Sequence, residues 1–244
     1  MPFESFKINL YDIFSKNSCL PALDDGKCEK LYKLTEIMLE INKSMNLTAI
    51  TDEKAIILKH YADSLTVSDF IPEGASVIDI GCGAGFPTLP LGIFRPDLKI
   101  TALDGTAKRI EYVRSTAEKL GLTNISAISG RAEEFAQKAE YRESFDVATA
   151  RAVAALPVLS ELCIPFCKVG GSFIAMKASS ADEELTASKN AIKLCGGEIE
   201  STTPIKLTSD GEIFEQRNLI KISKRNPSPK LYPRHYSKIS KKPL

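Results

Sequence analysis

The sequence predicts an α/β protein: a doubly wound, mainly parallel seven-stranded sheet with N-terminal helices. Three observations predict it. From residue 75 onward, short apolar runs alternate with segments of helical period, a pattern that makes a parallel sheet with helices on both faces. The first run, Val77-Ile78-Asp79-Ile80, leads into a turn with glycine at alternate positions, Gly81, Gly83 and Gly85. Residues 1–70, by contrast, show helical periodicity alone.

Leu31, Leu34, Ile37, Met38 and Ile41 recur at the spacing of a packed helix face, with Asp24 or Asp25 placed to cap it. Asn46-Leu47-Thr48 breaks that helix, and a second covers 52–69 with Asp52 near its start. Pro72 and Gly74 mark a boundary. Strands are expected at 75–80, 99–103, 124–128 and 145–149. Between the first two lies a short helix ending before Pro96. Over 107–120, Ile110, Val113, Ala117 and Leu120 share one helix face, stopped by Gly121. A helix over 153–167 closes at Gly170-Gly171, a strand follows near 172–177, and a helix over 181–194 ends at Gly196-Gly197. Segments 198–206 and 214–223 supply a closing pair of strands. The chain thus divides into a helical extension (1–70), a sheet domain (71–223) and a tail (224–244). In the tail, Pro227, Pro229, Pro233 and Pro243 argue against a helix.

With 244 residues, 43% hydrophobic and 26% charged, the composition is that of an ordinary globular protein. The six cysteines form no CxxC pair and there are two histidines, so neither a disulfide framework nor a metal site is expected. Glu4 and Lys7 interrupt any secretory leader, and no apolar stretch approaches the ~20 residues of a membrane span. A cytoplasmic protein without membrane attachment is expected. Net charge is +1, but residues 224–244 carry seven Lys or Arg and no acid, which leaves the first 223 residues at −6. A cationic tail on an acidic body suits a polyanion, whose counterions it releases, and equally suits a solvated terminus. Tyr232, His235 and Tyr236 interleave with the cations and could stack on bases.

A strand, a glycine turn and a helix start form the cradle in which doubly wound enzymes hold an adenosine-containing cofactor. The dinucleotide version needs a small residue three positions after its second glycine, where this chain has Phe86. No GxxxxGK[ST] phosphate loop occurs either. The turn therefore favours S-adenosyl-L-methionine, which carries no phosphate, and Phe86 argues against a nicotinamide dehydrogenase.

Ligands in such sheets bind beyond the carboxyl ends of the strands. After the first strand, Asp79 can face the cofactor's ammonium group or cap the turn. After the second, Asp104 lies nineteen residues beyond Gly85, the spacing of an acid that accepts both ribose hydroxyls; it could also cap the helix over 107–120. After the third, Gly130-Arg131-Ala132-Glu133 reads as a helix start with acids in its first turn. After the fourth, Arg151 stands among alanines and can clamp the cofactor carboxylate, hold an RNA phosphate or form a structural ion pair. No [DN]PP[YFW] motif follows that strand, and no Pro-Cys pair supplies a nucleophile; Cys163 and Cys167 fall in a helical stripe that reads as core. A site without base or nucleophile suits a ring nitrogen with a free lone pair, such as guanine N7, methylated by alignment and electrostatics.

The chain resembles the ribosomal RNA small subunit methyltransferase G family, also called glucose-inhibited division protein B. The resemblance runs through Asn46–Ile50, His60, Asp63-Ser64-Leu65, Asp79–Pro87, Arg95-Pro96-Asp97, Leu103-Asp104, Lys108-Arg109, Gly130–Glu134, Arg151-Ala152, Lys177, Tyr232-Pro233-Arg234 and Lys241–Leu244. It implies a Rossmann-like class I methyltransferase whose 71–223 segment binds S-adenosyl-L-methionine and methylates N7 of one guanine in 16S rRNA. The partner it implies is 16S ribosomal RNA or the small subunit. It assigns Gly81, Phe86, Ala132, Glu133 and Arg151 to the cofactor, beside Asp79, Gly83, Gly85 and Asp104 from the residue argument, with residues 132–133 at the adenine edge. Asn46, His60 and Lys177 are positioning candidates on the substrate side; His60 also reads as a packing residue, and Lys177 as a cation facing solvent. Departures from the family pattern are Cys82 for Ser, Thr88 and Ala178 for Gly, Gly105 for a frequent Ser, and His235-Tyr236 in the tail. Thr88 is expected to crowd the helix start slightly. A monomer is expected. A module that keeps the fold and binds RNA without transferring methyl groups is the alternative.

Overall fold

Successive side chains of each strand alternate between the two faces of a single sheet, and the central strands β1 and β4 are buried on both. The computed structural model describes residues 2–178 and 181–244. Its strands are β1 (Ser76–Ile80), β2 (Lys99–Asp104), β3 (Ile125–Ser129), β4 (Phe145–Arg151), β5 (Cys167–Ala178), β6 (Gly197–Ser209) and β7 (Glu212–Lys224), in the order β3-β2-β1-β4-β5-β7-β6. β1 to β5 run parallel, and β7 is antiparallel to both β5 and β6. The strand order reverses between β1 and β4, where a doubly wound sheet opens its ligand crevice.

One face carries Val77, Ile100, Ala102, Val147, Ile174 and Met176. It packs on helices α1 (Phe3–Lys16) and α2 (Asp25–Met45) through Phe6, Leu10, Leu31, Leu34 and Met38, all fully buried. Each such side chain contributes about 1.5–3 kcal/mol on leaving water. The other face carries Ile78, Ile80, Leu103, Ala148, Phe173 and Ile220, and packs on α8 (Leu156–Cys163) and α9 (Ala181–Leu194). The remaining helices are α3 (Glu53–Ile56), α4 (Asp63–Leu65), α5 (Thr88–Phe94), α6 (Ala107–Lys119), α7 (Ala132–Phe135) and α10 (Tyr236–Lys241). Asp24 and Asp52 cap α2 and α3 as the sequence implies, accepting from the amides of Lys27 and Ala55. No helix among the described residues is long and apolar enough to cross a membrane.

Three local expectations are corrected. The helix over 52–69 is not uniform: a π-helical turn, Ile57–Ala62, joins α3 to α4. The helix over 153–167 begins only at Leu156, because Ala152 takes a left-handed backbone (φ 55°), and from Cys167 the chain is already β5. The tail does contain a helix. Pro233 and Pro243 bracket α10 without entering it, and the His235 ring caps it by accepting from the Ser237 amide.

The tail is also built into the second core. Tyr232 and Ile239 are buried, so Tyr232 cannot stack on a base. Lys224, 1% exposed, donates to the carbonyls of Ile164 and Cys195 and the Ser228 hydroxyl and pairs with Glu143. Arg142 donates to the carbonyls of Ser228, Pro229 and Tyr232. Arg234 forks onto Glu161 of α8 at 2.6–2.8 Å, and Glu161 has no exposed surface. Removing one partner from such a pair strands the other charge in the core. Arg234→Ala should therefore lower the unfolding free energy in urea by about 3 kcal/mol, whereas Lys238→Ala, at an exposed position, should change it by less than about 0.5 kcal/mol.

Candidate active site

Two of the three turn glycines are required by packing, and the third keeps space open. Gly81, Gly83 and Gly85 all have left-handed backbones, at φ 72°, 55° and 83°. A Cβ on Gly81 would lie 2.6 Å from Val153, and one on Gly85 would lie 2.5 Å from Leu89. A Cβ on Gly83 would meet nothing nearer than the Gly81 carbonyl oxygen at 3.9 Å, so this backbone borders open space. The turn is tied to the end of β2: the amides of Gly81 and Cys82 both donate to the Leu103 carbonyl, at 2.7 and 3.1 Å. The Gly83 amide donates to Asp104 Oδ2 at 3.1 Å, and Thr106 donates to Oδ1 at 2.8 Å. Asp104 thus joins the β1 and β2 loops. The α6 cap position belongs to Thr106, so the capping alternative for Asp104 is not realised.

Asp79 lies one pleat earlier and faces inward. Its carboxylate is 1% exposed, accepts from the Thr88 hydroxyl at 2.6 Å and the Thr149 hydroxyl at 3.2 Å, and borders none of the three cavities along the strand ends. With two hydroxyls as its hydrogen-bond partners, it does not cap the turn. Burial pushes its pKa up to about 6 against those two hydroxyls. Thr88 does not crowd the helix start; it supplies Asp79 with its closest partner.

Three cavities run in series along the carboxyl ends of the strands. The first, of 110 Å³, lies beyond β2 and β3 and is bordered by Gly81, Asp104, Gly130, Ala132, Glu133 and Tyr236. The second, of 210 Å³, lies over the turn and is bordered by Gly81, Gly83, Phe86, His60, Arg109 and Arg151. The third, of 310 Å³, lies beyond β4 and β5 and is bordered by His60, Arg151, Ala152, Lys177, Glu184 and Arg217. Gly81 is common to the first pair; His60, Arg151 and Ala152 are common to the second. Phe86, Ala132, Glu133 and Arg151 therefore line the same trough as the glycines. The donor set suits an adenosyl amino acid: carboxylates at the Asp104 end, open backbone at Gly83 and a guanidinium beyond.

Arg151 takes the ion-pair role while bordering the trough. It donates to the Lys59 carbonyl at 2.8 Å and to Asp63 at 2.6 Å, and its guanidinium lies 5.5 Å from the Phe86 ring centre. Asp63, fully buried, also receives Arg217 at 2.8 Å. His60 stacks on Phe86 with ring centres 4.4 Å apart and planes 6° from parallel. Its Nε2 lies 3.0 Å from Thr48 Oγ1, and its Nδ1 is buried without a hydrogen-bond partner. Burial and the Arg151 charge push its pKa down to about 4, so the ring is neutral at physiological pH. Lys177 pairs with Glu184 at 2.8 Å and donates to the Ala154 carbonyl, so it meets a carboxylate and not bulk solvent. Asn46 ends α2 in a left-handed conformation, exposed and bordering none of these cavities; its neighbours Leu47 and Thr48 border the second. It is the one substrate-side candidate that the fold leaves outside the trough.

Sequence reasoning gave no role to Asp63, Arg217 or Arg109, and read Tyr236 only as a tail residue able to stack on bases. The two partners of Asp63 are 88 and 154 residues away, beyond the reach of any local pattern.

A family model described as rRNA small subunit methyltransferase G (GidB) matches residues 27–220. A protein named ribosomal RNA small subunit methyltransferase G from Clostridium beijerinckii is 43% identical over 97% of this chain and 100% of its own length. A relative of the same name from Clostridium kluyveri is 46% identical over 89% of this chain and 91% of its own. Among solved structures, M. jannaschii TYW2 in complex with AdoMet aligns with a TM-score of 0.54 at 15% identity, over 72% of this chain and 79% of that one. A SAM-dependent methyltransferase from Aquifex aeolicus aligns at 0.52 and 15% identity, over 77% and 97%. The fold is that of class I methyltransferases.

Asp79 has a measurable consequence. The folded state keeps its proton up to about pH 6, whereas the unfolded chain releases it near 3.8. Between those values the folded state binds more protons, so stability falls as pH rises through the window. Urea unfolding of the wild type and Asp79→Asn should diverge from pH 4 to pH 7, with the wild type losing up to about 3 kcal/mol relative to the variant.

Proposed function

The chain belongs to the rRNA small subunit methyltransferase G family, and on that premise we propose that it transfers a methyl group from S-adenosyl-L-methionine to N7 of a guanine in 16S rRNA. The observation that carries the reading is the trough across the β1–β4 switch point. It has one end lined by Asp104 and Glu133, an open backbone at Gly83, and a third cavity where a base can approach. The cofactor would supply a methyl group already activated on a sulfonium: a nitrogen lone pair bonds to the methyl carbon as the C–S bond breaks and its electrons leave on the neutral thioether. N7 carries no proton, so no base is required. The residues at the junction of the second and third cavities agree with that demand. His60 is neutral and clamped against Phe86, and Arg151 is held by a buried carboxylate. These groups hold geometry, exclude water and present a flat face to a nucleobase. Asp104 keeps lone pairs for ribose hydroxyls beside its two amide contacts. The reading carries with it a cytoplasmic location, where the RNA is.

The tail contributes to RNA contact only through cations left free by folding. Lys238, Lys241 and Lys242 are exposed and form no ion pair with any described residue, unlike Lys224 and Arg234. Phosphate contacts by such side chains bring affinity and salt dependence without sequence preference.

Two outcomes test this. Gly83→Asp should fold, since the position has room and Asp tolerates a left-handed backbone, yet lose S-adenosyl-L-homocysteine by calorimetry at least about 100-fold, because it places a carboxylate in the cradle. Wild-type protein, labelled donor and small-subunit rRNA from a strain lacking the gene should yield 7-methylguanosine by nucleoside mass spectrometry. RNA binding without methyl incorporation would instead support the non-catalytic module. Separately, Lys238→Glu/Lys241→Glu should weaken RNA binding and reduce the salt slope by roughly 0.7 per lost phosphate contact, with donor affinity unchanged.

A further inference from the structure

One border of the first cavity comes from outside the sheet. Asp104, Gly105, Gly130 and Glu133 lie at strand ends and loops common to any doubly wound fold, but Tyr236 arrives from the tail, more than a hundred residues later. We propose that Tyr236, backed by Arg131, is a cofactor-binding residue that closes the adenine end of the trough by stacking. The inference rests on the cofactor reading of the trough and extends it to a segment outside the sheet domain.

Several independent observations support the assignment. The Arg131 guanidinium carbon lies 4.6 Å from the Tyr236 ring centre, within cation–π distance. Arg131 also reaches Glu133 at 3.3 Å and lies over Gly105, where a Cβ would meet its Nη1 at 3.4 Å. The guanidinium therefore spans from the loop after β2 to the tail, with the ring on its far side. The ring is also held in advance of any ligand. Tyr236 begins α10, the preceding His235 caps that helix, Ile239 is fully buried, and Arg234 is forked onto buried Glu161. A preordered aromatic wall binds a planar base at little entropic cost. A lining Phe, Tyr or Trp suits adenine, whose faces are apolar and whose edge can meet Glu133 and the backbone at Ala132.

The tail therefore has two opposed sides. Tyr236 turns into the cofactor cavity, while Lys238 and Lys241 remain exposed.

Calorimetry with S-adenosyl-L-homocysteine and with 5′-methylthioadenosine tests the proposal. Tyr236→Ala should raise both dissociation constants about tenfold. Tyr236→Phe should stay within about twofold, because the ring and not the hydroxyl makes the wall. Arg131→Gln leaves the tail helix untouched and should raise both constants about threefold by loosening the stack. RNA affinity and the ligand-free melting temperature should not change. Wild-type affinity in Tyr236→Ala, alongside loss in Gly83→Asp, would overturn the stacking role and leave the cofactor reading intact. Wild-type affinity in both variants would overturn the cofactor reading itself. Equal weakening in Tyr236→Ala and Tyr236→Phe would assign the effect to the hydroxyl, and weakening in Tyr236→Ala with a lowered ligand-free melting temperature would assign it to packing; either would overturn the proposal.

Discussion

The site depends on one constraint: the glycine turn cannot move independently of the end of β2. Parallel register sets Ile80 opposite Leu103, so the next residues, Gly81 just past β1 and Asp104 at the end of β2, lie side by side. The Leu103 carbonyl then takes two amides of the turn, and the Asp104 carboxylate takes a third. Left-handed backbone at three positions in five residues would fray in an isolated peptide; here the amides of Gly81, Cys82, Gly83, Gly85 and Phe86 all have partners. The loop that would carry the methionine part and the acid that would meet the ribose are thus one rigid unit. Their spacing is set by sheet register, with no adjustable hinge between them.

Charge is used in the same way beyond β4. Asp63 is fully buried and would be costly alone, but it takes one guanidinium from the end of β4 and another from the middle of β7. Three segments distant in sequence converge on one carboxylate at the rim of the trough. The π-helical turn at Ile57–Ala62 belongs to this arrangement. It widens the helix just before Asp63, so that the Lys59 carbonyl, His60 and Asp63 all serve the same corner: Arg151 takes the first and last, and Phe86 stacks on the second. Such a corner holds orientation with little freedom, and alignment is what displacement at a sulfonium demands.

What the sequence revealed was local. Strand runs, stop signals and alternate glycines announce themselves within ten residues, and these fixed the seven strands, their parallel core and the glycine turn. The family resemblance placed Ala132, Glu133 and Phe86 in the trough by comparison rather than by pattern. What remained hidden was every feature set by distant partners. Asp79 reads as a ligand because it ends a strand beside glycines; only the fold shows its carboxylate held by Thr88 and Thr149. The tail reads as a free cationic arm, yet Glu161, Glu143 and Arg142, far earlier in the chain, all hold it. Four prolines read as helix-breaking, although their spacing leaves room for α10. Charge counts and proline counts cannot say which residues will find partners after folding.

The two walls of the trough differ in kind. On the turn side, Gly81 to Asp104 is pinned by backbone hydrogen bonds and sheet register. On the other side, the segment between β4 and α8 has no regular structure, begins with Ala152 in a left-handed conformation that costs an alanine about 1 kcal/mol, and carries Val153 40% exposed. Val153 nonetheless packs so closely on Gly81 that a Cβ there would overlap it. Gly81 borders both the first and second cavities, so Val153 sits at the waist between the adenine end and the methionine end. Glycine at 81 and at 83 therefore serves different ends: one admits a neighbouring side chain, the other leaves space open. A rigid wall that fixes the donor and an irregular wall whose single valine sets the waist together divide the work that catalysis by positioning requires.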